Sequence, residues 1–103
     1  MRWQRSVENA VVESGLTFTQ WLVLDATGQL IEETGDAVSQ NDVARRLELD
    51  RMTISRVMRV LERKRLVSRG IDLTGRAWRV FLCEEAEALL RDLAPTIEAA
   101  SAL

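Results

Sequence analysis

Two capped helices in close succession constrain this chain more than any other feature. Ser39 and Asp42 stand at the spacing of a capping box, in which hydroxyl and carboxylate each accept a backbone N–H at the start of a helix. Val43, Ala44 and Leu47 then give that short helix one apolar face. After Glu48, Leu49 and Asp50, a second helix is expected over about residues 51–64, with Asp50 as its N-cap. Ile54, Val57, Met58 and Leu61 recur in it at i, i+3, i+4 and i+7, the spacing of a single core-facing stripe. Two short helices joined by a turn of three or so residues predict a helix-turn-helix.

A β-hairpin is expected to follow. Leu66 to Ile71 and Ala77 to Leu82 are short runs rich in Val, Ile, Trp and Phe, and Asp72-Leu73-Thr74-Gly75 between them supplies turn residues. Helical periodicity brackets this unit. Trp3, Val7, Ala10, Val11 and Ser14 share one face of a first helix that Gly15 ends. Thr17 and Gln20 form another capping box and open a second helix over about Phe18 to Glu33; Gly28 interrupts its pattern, and Thr34-Gly35-Asp36 makes the turn. The closing stretch, Glu84 to Ala100, keeps a helical period through Ala86, Leu89, Leu90, Leu93 and Ile97, with Pro95 expected to kink or interrupt it. The prediction is one domain over residues 1–103, mainly α with a small β-hairpin (α+β): a winged helix-turn-helix. Residues 16–82 form the lobe, with the wing at about 66–82. Residues 1–14 and 84–103 have larger apolar faces than a lone lobe needs, and so read as dimerisation helices.

With 47% hydrophobic and 29% charged residues, the 103-residue chain has the make-up of one soluble globular domain. Its longest apolar runs, Trp21 to Leu24 and Val80 to Cys83, fall far short of the roughly 20 residues of a membrane span. One cysteine and no histidine exclude an internal disulfide and the usual zinc site, so no metal or cofactor is expected and a reducing, cytoplasmic setting fits. An enzyme is not expected. There is no tyrosine, no histidine and no glycine-rich phosphate loop, and the neighbouring acids Glu32-Glu33 and Glu84-Glu85 point apart on a helix. Cys83, flanked by Glu84 and Glu85, reads as a buried structural thiol rather than a redox sensor. Trp3, Trp21 and Trp78 read as core rather than as a ligand pocket.

The formal net charge is −2, but its distribution is uneven. Residues 45–79 hold eleven Lys or Arg against the four acids Glu48, Asp50, Glu62 and Asp72. This concentrates positive charge on the second helix of the pair and the hairpin. Opposite the apolar stripe stand Arg51, Met52, Ser55, Arg56, Arg59 and Arg63, with Thr53 near the helix start. An arginine fork can grip guanine in the major groove of duplex DNA, and the first turns of a recognition helix enter that groove. Arg51, Thr53, Ser55 and Arg56 are therefore the expected base contacts, and Arg59 a backbone contact. Ser39 and Gln40 can donate to a phosphate at the start of the preceding helix. Arg76, in a wing tip at about 72–76, can reach a minor groove or its phosphates, whereas Arg69 and Arg79 read as backbone contacts or surface ion pairs. The alternative is a winged-helix protein-interaction module without operator binding.

From Leu16 to about Leu93 the residues resemble the MarR family of bacterial transcriptional regulators. Three stretches carry the resemblance: Leu16-Thr17 through Gln20-Trp21 to Val23-Leu24; SQNDVARRLELDRMTISRVMRVLERKRLV from Ser39 to Val67; and Asp72 with Arg76 and the strand ending at Leu82. The resemblance implies a homodimer on a palindromic operator, with the first and last helices of both chains packed together, and in many members release by a small-molecule effector. Departures from the pattern also carry expectations. Arg65 stands where the family usually has glycine, so the helix is expected to end differently there. Thr74 replaces the aspartate that braces the wing arginine, and Cys83 replaces an N-cap hydroxyl. Members usually continue past the position of Leu103 into another long dimerisation helix, which implies a smaller, altered or weak dimer here.

Overall fold

Both capping boxes form in the computed structural model, which describes the backbone of residues 2–71 and 78–101 and the side chains of residues 7–71 and 78–98. At Thr17 the hydroxyl accepts the Gln20 N–H and the Gln20 side-chain Oε1 accepts the Thr17 N–H, each at 3.1 Å, opening α2 (Phe18–Thr34). At Ser39 the same exchange with Asp42 opens α3 (Gln40–Leu47). The other helices are α1 (Arg2–Glu13), α4 (Arg51–Arg63) and α5 (Glu84–Ser101), and the strands are β1 (Val38–Ser39), β2 (Val67–Ile71) and β3 (Trp78–Leu82).

The expected hairpin is present, with Val67 opposite Leu82 and Ile71 opposite Trp78. It belongs to a three-stranded antiparallel sheet of order β1-β3-β2, in which Val38 and Ser39 pair with Val80 and Arg79. Two residues are too few to show an alternating pattern, which is why β1 left no trace in the sequence. Residues 72–77, and with them Thr74 and Arg76, lie outside the described residues.

The core gathers Trp21, Val23 and Leu24 of α2, Val43 and Ala44 of α3, and Ile54, Met58 and Leu61 of α4, closed by Val38, Val67 and Val80 of the sheet. α1 lies along α5, burying Val7 and Val11 on one side and Ala86 and Leu93 on the other. Gly28 does not break α2. A Cβ at that position would meet Leu90 Cδ1 at 3.1 Å and Leu82 Cδ1 at 3.3 Å, so its absence lets α5 and β3 approach the helix closely. Nor does Pro95 interrupt α5, which continues from Glu84 to Ser101. Proline removes one N–H bond and crowds the preceding turn, yet the helix runs on through it with α5 packed along α1.

Arg65 overturns another expectation. The helix before it ends as glycine would end it, with Arg65 itself at φ +61°. The Leu66 N–H reaches the Leu61 carbonyl and the Arg65 N–H the Glu62 carbonyl, both at 3.0 Å, which is the Schellman pattern with an arginine at its left-handed position. The chain must turn there because Leu61 and Val67, on either side, are both buried. A left-handed arginine costs about 1–2 kcal/mol, and glycine would give back roughly 0.5–1 kcal/mol in lost backbone freedom. Arg65→Gly should therefore stabilise the domain by about 0.5–1 kcal/mol and raise its melting temperature by a few degrees. A lower melting temperature in calorimetry would refute the strain assigned to Arg65.

Candidate nucleic-acid interface

Burial of Ile54, Met58 and Leu61, each without exposed surface, sets the rotation of α4 about its own axis. The opposite ridge is then made by residues at i, i+4, i+7 and i+11, namely Met52, Arg56, Arg59 and Arg63, and all four are exposed. Met52 retains 70% of its surface, unusual for a large apolar side chain in water. Arg51 is exposed on one flank, while Thr53 and Ser55 are half-buried. This redistributes the sequence-based candidates. Arg56, Arg59 and Arg63 stay on the outward face where the sequence placed them, while Thr53 and Ser55 move to the sides. Their shared face with Met52 was legible in the spacing, but only the buried stripe shows which of the flanking positions lie at its edges.

The N-terminus of α4 is organised differently from a simple cap. Asp50 has the extended backbone of an N-cap, yet its carboxylate accepts from the Thr53 hydroxyl and not from a backbone N–H. That hydrogen bond holds the Asp50 carboxyl below its usual range. Because a hydroxyl has a single proton, Thr53 in this conformation can only accept from a further partner, such as a base amino group. Upstream, Glu48 ends α3 in the left-handed region at φ +54°, which lets Leu49 and Asp50 carry the chain directly into α4.

Ser39 and Gln40 lie together at the start of α3. The Ser39 oxygen is used by the Asp42 N–H, and its proton remains to be donated. The Gln40 side-chain Oε1 accepts from Arg69 Nη1 at 2.9 Å, and Arg69 Nη2 donates to Glu62 Oε1 at 2.9 Å. Arg69 is thus the ion pair that one reading of the sequence allowed. Arg79 faces Ser39 and Gly70 in the sheet register.

Trp21 is buried as expected, with its ring centroid 5.5 Å from that of Phe18. Trp78 is not core. It is 56% exposed, because Ile71 and Trp78 sit at the far end of the hairpin, beyond the reach of the helices that cover Val67 and Val80. The side chain of Trp3 lies outside the described residues. Cys83 is only partly buried; burial, reinforced by the charge of Glu85, pushes its thiol up and away from the reactive thiolate. No helix among the described residues is long and apolar enough to cross a membrane.

A cleft of about 440 Å³ opens between α2 and α5, lined by Asp25, Gly28, Ile31, Leu82, Leu90 and Arg91 among others. Burial pushes the Asp25 carboxyl up, and its Oδ2 accepts from the Gln29 amide at 2.9 Å.

Comparison with known proteins gives the fold a context. The profile of the MarR family matches residues 14–77. The chain is 34% identical over 68 residues to YdcH, an uncharacterised HTH-type transcriptional regulator of Bacillus subtilis; the match covers 66% of this chain and 46% of that protein. Among solved structures, a mutant MepR of Staphylococcus aureus bound to an oligodeoxyribonucleotide superposes with a TM-score of 0.83 at 23% identity, covering 97% of this chain and 71% of that one. CouR of Rhodococcus jostii, bound to p-coumaroyl-CoA, superposes with a TM-score of 0.79 at 28% identity, covering 96% of this chain and 67% of that one.

Proposed function

The chain belongs to the MarR family, and from that premise we propose that it is a transcriptional regulator that binds double-stranded DNA sequence-specifically, as a homodimer on a palindromic operator. One observation carries the reading: the fully buried stripe of α4 turns Met52, Arg56, Arg59 and Arg63 outward as a continuous exposed ridge. In the major groove Arg56 reads a guanine edge and Met52 packs on a thymine methyl, with Arg51, Thr53 and Ser55 at the sides of the contact. Arg59 and Arg63, further along α4, meet phosphates, as do Ser39 and Gln40 at the start of α3. Arg76 of the wing serves the minor groove or its backbone.

The dimer is formed by α1 and α5, which already pack on each other within the chain. Val12, 68% exposed on α1, is apolar surface for the second copy to cover. The α2–α5 cleft is the place for a small-molecule effector, since apolar Ile31, Leu82 and Leu90 stand there beside the charged Asp25 and Arg91. A thermal-shift screen of small acids and amines should find a stabilising compound whose effect disappears in Leu90→Trp, which fills the cleft. An undiminished shift in that variant would place the ligand elsewhere.

Selection from a random duplex library at two salt concentrations, with the mass of the protein in solution recorded alongside, tests the reading directly. The expected result is an enriched inverted repeat with half-sites about 10 base pairs apart, bound by a dimer and less tightly at higher salt. Absence of both enrichment and salt-sensitive binding would point instead to a protein-interaction module. On the enriched duplex, Arg56→Ala should lose about 1–3 kcal/mol of specific binding while non-specific binding changes little. Equal losses in the two would make Arg56 a phosphate contact.

A further inference from the structure

Arg69 of β2 makes contacts to three other elements, and that position gives it a role of its own. It projects from β2 with only 19% of its side chain exposed. Nη1 donates to Gln40 of α3 and Nη2 to Glu62 of α4, both at 2.9 Å, while Cζ lies 5.9 Å from the centre of the Trp78 ring on β3. Its Nε is buried without a partner, and the bond from Arg69 holds the Glu62 carboxyl below its ordinary range. The guanidinium fork is thus spent inside the protein, with little of it left to reach a nucleic acid.

The bond to Gln40 has a directional consequence. An arginine can only donate, so the Gln40 amide must present its oxygen to Arg69 and its nitrogen, with two N–H groups, away from it. Gln40 is the first residue of α3, where unpaired backbone N–H groups already favour an anion. An unrestrained glutamine would sample both amide orientations and several rotamers. Arg69 leaves the donating one. Lysine could not do the same, because a point charge on a flexible stem lacks the planar fork that spans Gln40 and Glu62 together.

We propose that Arg69 is a positioning residue for DNA binding: it holds the Gln40 amide in the orientation that donates to a phosphate and ties the base of the wing to the recognition helix, without touching the DNA itself. This rests on the DNA-binding reading above.

The test is a double-mutant cycle on the duplex enriched by the selection, or on a random-sequence duplex if none is enriched. Affinities are measured across a salt series for the wild type, Gln40→Ala, Arg69→Met and the combined variant. Gln40→Ala and Arg69→Met should each weaken binding roughly three- to tenfold, the effect of one lost hydrogen bond, and the combined variant should be no weaker than the weaker single one. The slope of log K against log salt should match the wild type, since a neutral amide releases no counterion. Arg69→Lys should behave as Arg69→Met does and provides the same reading if the methionine variant folds poorly. A slope shallower by about one would make Arg69 a direct phosphate contact. Multiplying effects, or binding restored by lysine, would also overturn the proposal. Wild-type protein that binds neither duplex would overturn both this inference and the DNA-binding reading, whereas normal wild-type binding with a failed cycle would overturn this inference alone.

Discussion

Ile54, Met58 and Leu61 belong to one hydrophobic cluster with Val43 of α3 and Val23 and Leu24 of α2. Each is worth roughly 1.5–3 kcal/mol when fully buried. Rolling α4 by a single residue, about 100°, would lift much of that stripe toward water and forfeit a sum comparable with the whole stability of a small domain, ~5–15 kcal/mol. The helix therefore has one rotational setting, and the outward direction of Met52, Arg56, Arg59 and Arg63 follows from it. The functional ridge is the reverse side of the core.

Entry to and exit from α4 are set by two residues that would ordinarily avoid the left-handed region, Glu48 and Arg65. Neither is glycine, so the surrounding packing holds both in place. Leu61 and Val67 are buried on the two sides of Arg65, and Ala44 is buried just before the turn at Glu48. Lys64, at the end of α4, also reaches back to the Gly15 carbonyl at 2.7 Å and to the Gln20 side chain at 3.1 Å, joining the helix to the junction of α1 and α2.

The polar contacts differ in weight according to their setting. Arg45 with Asp42 and Arg46 with Glu33 are solvent-facing pairs of the kind that contributes at most about 1 kcal/mol. Arg69 is half-buried, uses both terminal nitrogens and lies over an aromatic ring. In such a setting a lost partner leaves a desolvated donor behind, so its geometry is held more tightly than that of the exposed pairs.

The helices were legible because their signals are local. The Thr17–Gln20 and Ser39–Asp42 boxes act across three residues, and the stripe through Ile54, Met58 and Leu61 needs only the helical period. The same locality misled at Arg65, whose buried neighbours hold it at the left-handed φ of a glycine, and of the two outcomes expected at Pro95 the interruption is absent. It was silent at β1, whose two residues become a strand only because β3 runs beside them. The candidate interface divides in the same way. Sequence by itself determined that one helix carries an apolar stripe on one side and arginines on the other. Which arginines crown the ridge, which one turns inward, and how Gln40 is oriented were decided by the tertiary structure, because Arg69 meets partners 29 and 7 residues away and chain distance carries no information about such contacts.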